Sequence, residues 1–311
     1  ILTHAHVDHS GRIPYLYKMG YEGFVYHSSH QTMELSSIQW EDAAKLMLKD
    51  YEARLHTFNK DRKVCGDAGR LLKQRNGAKN PKNGNRMSKP TTDEVRVAQQ
   101  NKESILKKYG VKNIDEAAPY PPIYLYEDVE KTRAFSRVLE GTIKDVPGIV
   151  FKTFQNGHIL GSRSILMSFT NENGQQKNVL FSGDLGNYDK PFSPHGNPVT
   201  DERQKIDAVF CETTYGGTLR NESYYQDGLK KFIDDIKIEI SKGKTVIIPA
   251  FAMDRSQEIL YQLRNLVGAP VYYDTKIGNM VLPIYESNIQ IYKESVLKYS
   301  ILTDENRGEF F

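Results

Sequence analysis

Ile1-Leu2-Thr3-His4-Ala5-His6-Val7-Asp8-His9-Ser10-Gly11 sets four potential metal ligands within six positions, directly after an apolar start. His4 and His6 are two residues apart and can reach one ion from the same turn. Asp8 and His9 can point at a second ion nearby. Imidazole and carboxylate together suit zinc, with manganese and iron open by ligand type. A lone histidine is most often a core or surface residue. The weight therefore lies on the whole HxHxDH string in a chain that holds only 8 histidines among 311 residues.

Working outward, the length allows two domains, and 39% hydrophobic residues can build cores. No run of eighteen apolar residues occurs, so no transmembrane helix is expected, and no charged-then-apolar leader opens the chain. Cys65 and Cys211 lie far apart, which argues against a disulfide framework and fits a reducing cytoplasm. The net charge is +3, but Lys60 to Lys89 holds ten Lys or Arg against Asp61 and Asp67, a local +8 that leaves the remainder at −5. That segment offers a nucleic-acid footprint. With no aromatic residue between Lys60 and Lys89 for bases to stack on, it reads as a solvated insertion rather than an RNA-guiding arm.

The pattern after the string predicts a short helix over Arg12–Met19, a strand over Gly23–Tyr26 and a long helix from Thr32 to about Phe58. His27, His30 and His56 on these elements read as structural or solvated. Asn76 to Pro90 is crowded with Gly, Asn, Lys and Pro and reads as a loop. Glu127 to Leu139 reads as a helix with Val129, Phe135, Val138 and Leu139 on one side. Strands follow at Gly148–Phe154, Arg163–Phe169 and Asn178–Phe181. Between the first two, Gly157 and Gly161 let the backbone turn tightly and deliver His158 to a site built elsewhere. Two further apolar runs end in a carboxylate followed by a turn, at Asp184 and at Glu212, and strands that end this way build a site along one sheet edge. From Asn221 an amphipathic helix precedes Thr245–Ala252, read as a buried strand; a helix capped by Asp254 and a strand at Val271–Tyr273 complete a βαβ unit. This suggests a second parallel-sheet domain from about residue 215.

HAHVDH, GHILGS, SGDLG, ETTYG and IPAFAMDRSQE, in this order, resemble the metallo-β-lactamase-fold nucleases of the β-CASP family. The resemblance covers most of the chain apart from about Asn59 to Asp115. It implies an α/β fold, with a metallo-β-lactamase αββα sandwich over 1–214 and an inserted Rossmann-like β-CASP domain beginning at 215 and incomplete at 311. Carried over residue by residue, it makes His4, His6 and His158 ligands of one zinc, Asp8 and His9 ligands of another, and Asp184 the bridge between them. A metal-bridging hydroxide would then hydrolyse RNA phosphodiester bonds, since bound zinc can lower the pKa of water to about 7. Asp8, Asp184 and Glu212 are thus the catalytic candidates; Glu212 resembles a partner of a downstream histidine that protonates the leaving oxygen. Family members acting on DNA tend to carry Asp there, so Glu212 tilts the reading toward RNA. Arg255 is a candidate phosphate contact, although it reads more readily as a helix-surface arginine.

The family pattern places further histidines downstream, whereas none follows His195 here. With no initiator methionine and an unfinished β-CASP portion, the chain reads as a fragment, expected to bind the second metal weakly and to cleave RNA poorly alone. The expected partner is RNA, in the cytoplasm and away from any membrane. A homodimer or an RNA-processing complex stays open, as does endonuclease against 5′-exonuclease action. A small-molecule hydrolase of the same superfamily, acting on thioesters or lactones, would need no second domain. A non-catalytic scaffold would be expected to have lost ligands, and all six positions are intact.

Overall fold

A computed structural model describes residues 1–76, 89–140, 143, 146–186, 205–219, 222–263 and 269–288. The chain divides into two compact units, Ile1–Asp42 with Glu127–Phe311, and Ala43–Tyr126.

In the first unit, the His/Asp string opens into a short helix α1 (Val7–Ser10), with Ser10 N–H donating to His6 O at 2.9 Å. Helix α2 (Ile13–Lys18) follows, with Pro14 in its first turn, where a missing N–H costs nothing. Strand β1 (Val25–His27) pairs in parallel with β2 (Ser136–Val138). Leu2 joins their edge through Leu2 N–H to Tyr26 O at 2.8 Å and Ser28 N–H to Leu2 O at 2.9 Å. Arg163 N–H donates to Thr3 O at 3.0 Å, which ties the same opening segment to the start of β4.

The larger sheet has the order β3 (Ile149–Gln155), β4 (Arg163–Thr170), β5 (Gln176–Phe181), β6 (Ala208–Phe210). Its first three strands are antiparallel and β6 runs parallel to β5. β4 is buried along half of its length, and its Ile165 forms one core with Leu139, Ile143 and Phe151. A second core gathers Ala5, Leu35, Ile159 and Leu160 with Met253, Leu260, Tyr261, Val281 and Tyr285. It thus binds the opening His/Asp string and the His158 turn to helices α7 (Arg255–Leu263) and α8 (Lys276–Ser287).

The second unit is mostly helical. Helix α3 (His30–Arg75) begins in the first unit and continues in the second, where α4 (Thr92–Tyr109) follows and a 3₁₀ turn spans Ile114–Ala117. Phe58, Cys65 and Ile114 form its core, with Leu106 and Tyr109 packed on them. Thr91 and Glu94 close a reciprocal capping box, and Gly110 takes the left-handed conformation at φ 65° that ends α4.

Several expectations need correction. The helix predicted over Glu127–Leu139 stops earlier: α5 runs Tyr126–Ala134, and its former end is β2, claimed by the ladder to β1. The long helix does not stop near Phe58 but runs to Arg75, because packing of α4 and the 3₁₀ turn on Phe58 and Cys65 outweighs Gly66 and Gly69 within it. Thr245–Ala252 and Val271–Tyr273 form no strand among the described residues, so no βαβ ladder links them. Ile247 and Phe251 are each 84% exposed, and Pro249 between them has no N–H to give a ladder. The helix before them is real, as α6 (Glu222–Ser241). Residues 77–88 of the expected basic loop, Gly268, at which the following helix was expected to end, and His195 lie outside the described residues.

Candidate metal centre

Three separate stretches bring the site together. The opening segment supplies His4 and His6 just before α1, and His9 within it. The turn between β3 and β4 supplies His158, and the end of β5 leads three residues on to Asp184. The ligand atoms of His4, His6, His158 and Asp184 all lie within 4.8 Å of one another. His6 Nδ1 and His158 Nε2 are 2.9 Å apart. Asp184 faces both groups of imidazoles. Its Oδ2 lies 3.5 Å from His158 Nε2 and 3.7 Å from His4 Nε2, while its Oδ1 lies 3.3 Å from His9 Nε2.

These spacings fit a bound ion. Ligands about 2.0–2.1 Å from a tetrahedral zinc stand roughly 3.3 Å from each other. His4 gives a second indication: its side chain is fully buried, yet Nε2 has no hydrogen-bond partner among the described residues. A buried polar nitrogen left so is costly unless something else meets it. Burial first, then the neighbouring His9, His158 and His6, pushes its pKa down to about 2. The imidazole therefore stays neutral near pH 7, the form that binds metal. Asp8 stands at the margin. Its side chain is 73% exposed and its Oδ2 lies 3.4 Å from His9 Nε2.

Small hydroxyls and one amide hold these stretches in place. Asn156 Nδ2 donates to Ser182 O at 3.1 Å, and its Oδ1 accepts from Ser162 Oγ at 2.6 Å. Ser164 Oγ also donates to Ser182 O, and Ser182 Oγ donates to Gly183 O and accepts from Glu212 N–H. Ser28 Oγ donates to Thr3 O, while Ser29 and Thr32 both donate to Gly161 O. Trp40, fully buried, donates from Nε1 to Ser10 O at 2.8 Å and so fixes the end of α1. Gly161 has φ 81° and lies so close to Ser29, Gln31 and Thr32 that a Cβ there would stand 2.6–2.8 Å from them. Ser162 and Ser182 stand inside two of the quoted motifs, but sequence reading gave no supporting role to them, to Asn156 or to Trp40. The only signal was the density of Ser and Asn around the glycine turns.

Glu212 follows β6 and accepts from Leu185 N–H at 3.1 Å and Thr214 N–H at 3.0 Å. Hydrogen bonds from Thr214 and then Leu185 hold its carboxyl below the usual range, so it is ionised. Since Leu185 adjoins Asp184, Glu212 is linked through the backbone to the cluster. Arg255 is half exposed, and its Nη1 lies 2.6 Å from Glu258 Oε2, a carboxylate only 5% exposed. His27 is a buried structural residue against Ser136 and Trp40, as its position suggested.

A mixed α/β chain with a His/Asp cluster built where the turns between strands converge has the form of a metal-binding site. No family model matches the chain. It is 28% identical over 303 residues to Ribonuclease TTHA0252 of Thermus thermophilus, covering 95% of this chain and 50% of that protein. It is 27% identical over 274 residues to Probable RNase MJ4 of Methanocaldococcus jannaschii, covering 88% of this chain and 46% of that protein. Over 187 residues it is 26% identical to Endoribonuclease YSH1 of Kluyveromyces lactis, covering 56% of this chain and 23% of that protein. These similarities are modest, at 26–28% identity, and the three relatives carry ribonuclease names. The chain spans about half the length of the first two curated relatives.

Proposed function

We propose that this chain carries the metal site of a zinc-dependent ribonuclease that hydrolyses RNA phosphodiester bonds. In this reading residues 1–214 are a metallo-β-lactamase-like domain of αββα form, and residue 215 begins an inserted Rossmann-like β-CASP domain. The observation that supports it is the convergence of His4, His6, His158 and Asp184, with His9 on the other oxygen of Asp184. The ribonuclease names of the relatives supply the substrate class. His4, His6 and His158 would hold one ion, Asp8 and His9 another, and Asp184 would serve both through its two oxygens. Bound ions of this kind acidify water and neutralise charge on a phosphate. Manganese or iron would suit the same donors.

The chain's own groups divide the remaining work. Glu212, ionised and held by two backbone N–H groups, accepts and orients a proton-bearing partner rather than donating a proton itself. Asp8, on the exposed side of the cluster, faces arriving substrate. Arg255 keeps N–H groups on its exposed side for a phosphate, although its ion pair with Glu258 offsets its charge. The free thiols of Cys65 and Cys211 fit a cytoplasmic setting.

The test uses the complete gene product, incubated with end-labelled linear RNA and with circular RNA, with and without chelator. Chelator-sensitive cleavage, lost in His4→Ala and in Asp184→Asn, is the expected result, and cut circles would assign endonuclease action. Cleavage that persists in both variants would overturn the metal site. Turnover of a thioester or lactone with every RNA left intact would overturn the nuclease reading.

A further inference from the structure

The unit Ala43–Tyr126 carries eighteen Lys and Arg against nine Asp and Glu, a net +9 that leaves the rest of the chain at −6. This unit holds a groove of about 490 Å³ between α3 and the segment that follows α4. Its wall includes Phe58, Tyr109 and Tyr120, with Arg54 and Lys108 as the cations and Glu116 as the one acid. The aromatic residues that the basic stretch lacks in sequence are thus supplied in space by its flanks.

The groove is built for contact. Phe58 is buried and belongs to the unit's core. Tyr109 Oη and Lys108 Nζ both donate to Asp61 Oδ2, at 3.0 and 2.9 Å, which fixes the pair, and Lys108 Nζ lies 4.9 Å from the Tyr109 ring centre. Tyr120 is 87% exposed and stands between Pro119 and Pro121-Pro122. Proline fixes φ, so this ring is carried on stiff backbone and loses little freedom when something covers it. A large ring held out in water beside a groove, on a unit of strong positive charge, matches what single-stranded nucleic acid requires. Bases of any identity stack on an aromatic face while cations follow the phosphates.

We infer that the helical unit is an accessory binding surface for single-stranded RNA, with a base stacked on Tyr120 in this groove. The inference rests on the ribonuclease reading for its ligand, but not on the metal centre for its chemistry. It holds RNA without regard to sequence and places it on a part of the chain separate from the His/Asp cluster.

The experiment is fluorescence anisotropy of a labelled oligouridine on the full chain, with EDTA present so that nothing is cut. Tyr120→Ala is expected to weaken binding at least about fivefold, the lower end for loss of one stacked base, and Tyr120→Phe to bind like the parent. Binding is expected to weaken as salt rises, and a parent whose affinity does not change with salt would overturn the part assigned to the unit's positive charge. His4→Ala is expected to leave binding unchanged. Equal binding by Tyr120→Ala and the parent would overturn the groove assignment, and so would a parent that binds no RNA. RNA cleavage, measured separately on the same proteins, tells that failure apart from failure of the nuclease reading.

Discussion

Gly186 offers a direct test of how the centre is assembled. A Cβ at this position would stand 1.7 Å from the Gly157 carbonyl oxygen, 1.9 Å from its carbon and 2.3 Å from His158 N. All three are backbone atoms, so no side chain can swing away. Restoring van der Waals contact requires the two loops to part by roughly 1.5 Å or more. That motion breaks the 2.9 Å bond from Gly186 N–H to Asn156 O, and it carries His158 away from Asp184, two residues before the substitution. Losing the bond costs about 1 kcal/mol and the forced overpacking about 1–3 kcal/mol. Gly186→Ala is therefore expected to lower stability by about 2–4 kcal/mol, a fall in Tm of about 5–10 °C for a unit of this size. Displacing a support of this kind is expected to weaken zinc binding about 10- to 100-fold. Thermal unfolding of the metal-free protein measures the first effect, and zinc competition with a chromogenic chelator the second. Gly217→Ala, where nothing lies within 4 Å of the added Cβ, is the control. A Gly186→Ala protein with the parent's Tm and zinc affinity would refute the packing of the His158 turn against the Asp184 loop.

Three further outcomes follow from the same geometry. Zinc at a hundred times its Kd is expected to raise unfolding free energy by about 2.7 kcal/mol, and Asp184→Asn to remove most of that gain in urea titrations. Trp40→Phe, which deletes the bond to Ser10 O and leaves space around a fully buried ring, is expected to cost about 2–4 kcal/mol; a loss below 1 kcal/mol would show that α1 does not depend on it. Burial pushes the pKa of His27 down to about 4 from an ordinary value of 6.5. The unfolded chain takes up this proton below about pH 6.5 and the folded one only near pH 4. Stability is therefore full above pH 6.5 and falls by about 3 kcal/mol as pH drops through that window. In the metal-free protein, His27→Gln should give a shallower acid limb by that amount in pH-resolved urea unfolding, and parallel limbs would exclude His27 as the source.

The residues that cluster as His4, His6, His158 and Asp184 were legible because their chemistry is local: a short string dense in imidazole, a histidine between glycines, a carboxylate after an apolar strand. So were β3, β4, β5 and α6, whose periodicity and flanking turns agree with what they bury. What could not be read depends on partners distant in sequence. Ser136–Val138 looks helical until β1, more than a hundred residues earlier, offers it a parallel edge. The stretch from Thr245 has the apolar texture of a central strand, but a ladder needs a neighbour, and none pairs with it among the described residues. The bonds from Asn156 and Ser182 were invisible for a related reason. Asparagine and serine serve in any turn, and only the approach of β5 to the His158 loop gives these two their particular acceptors.

The buried hydroxyls around the cluster have a consequence for how the gene can vary. Ser28, Ser29, Thr32, Ser162, Ser164 and Ser182 each donate to a carbonyl or amide oxygen, and all are buried. Alanine at such a place leaves an oxygen unmet, and valine, although close to threonine in shape, leaves it unmet as well. In a saturation library scored for zinc retention, these six codons should tolerate little beyond the Ser/Thr exchange. The apolar positions Ile159 and Leu160 should accept one another's side chains. The narrowest tolerance in the molecule would then fall on residues that never touch an ion.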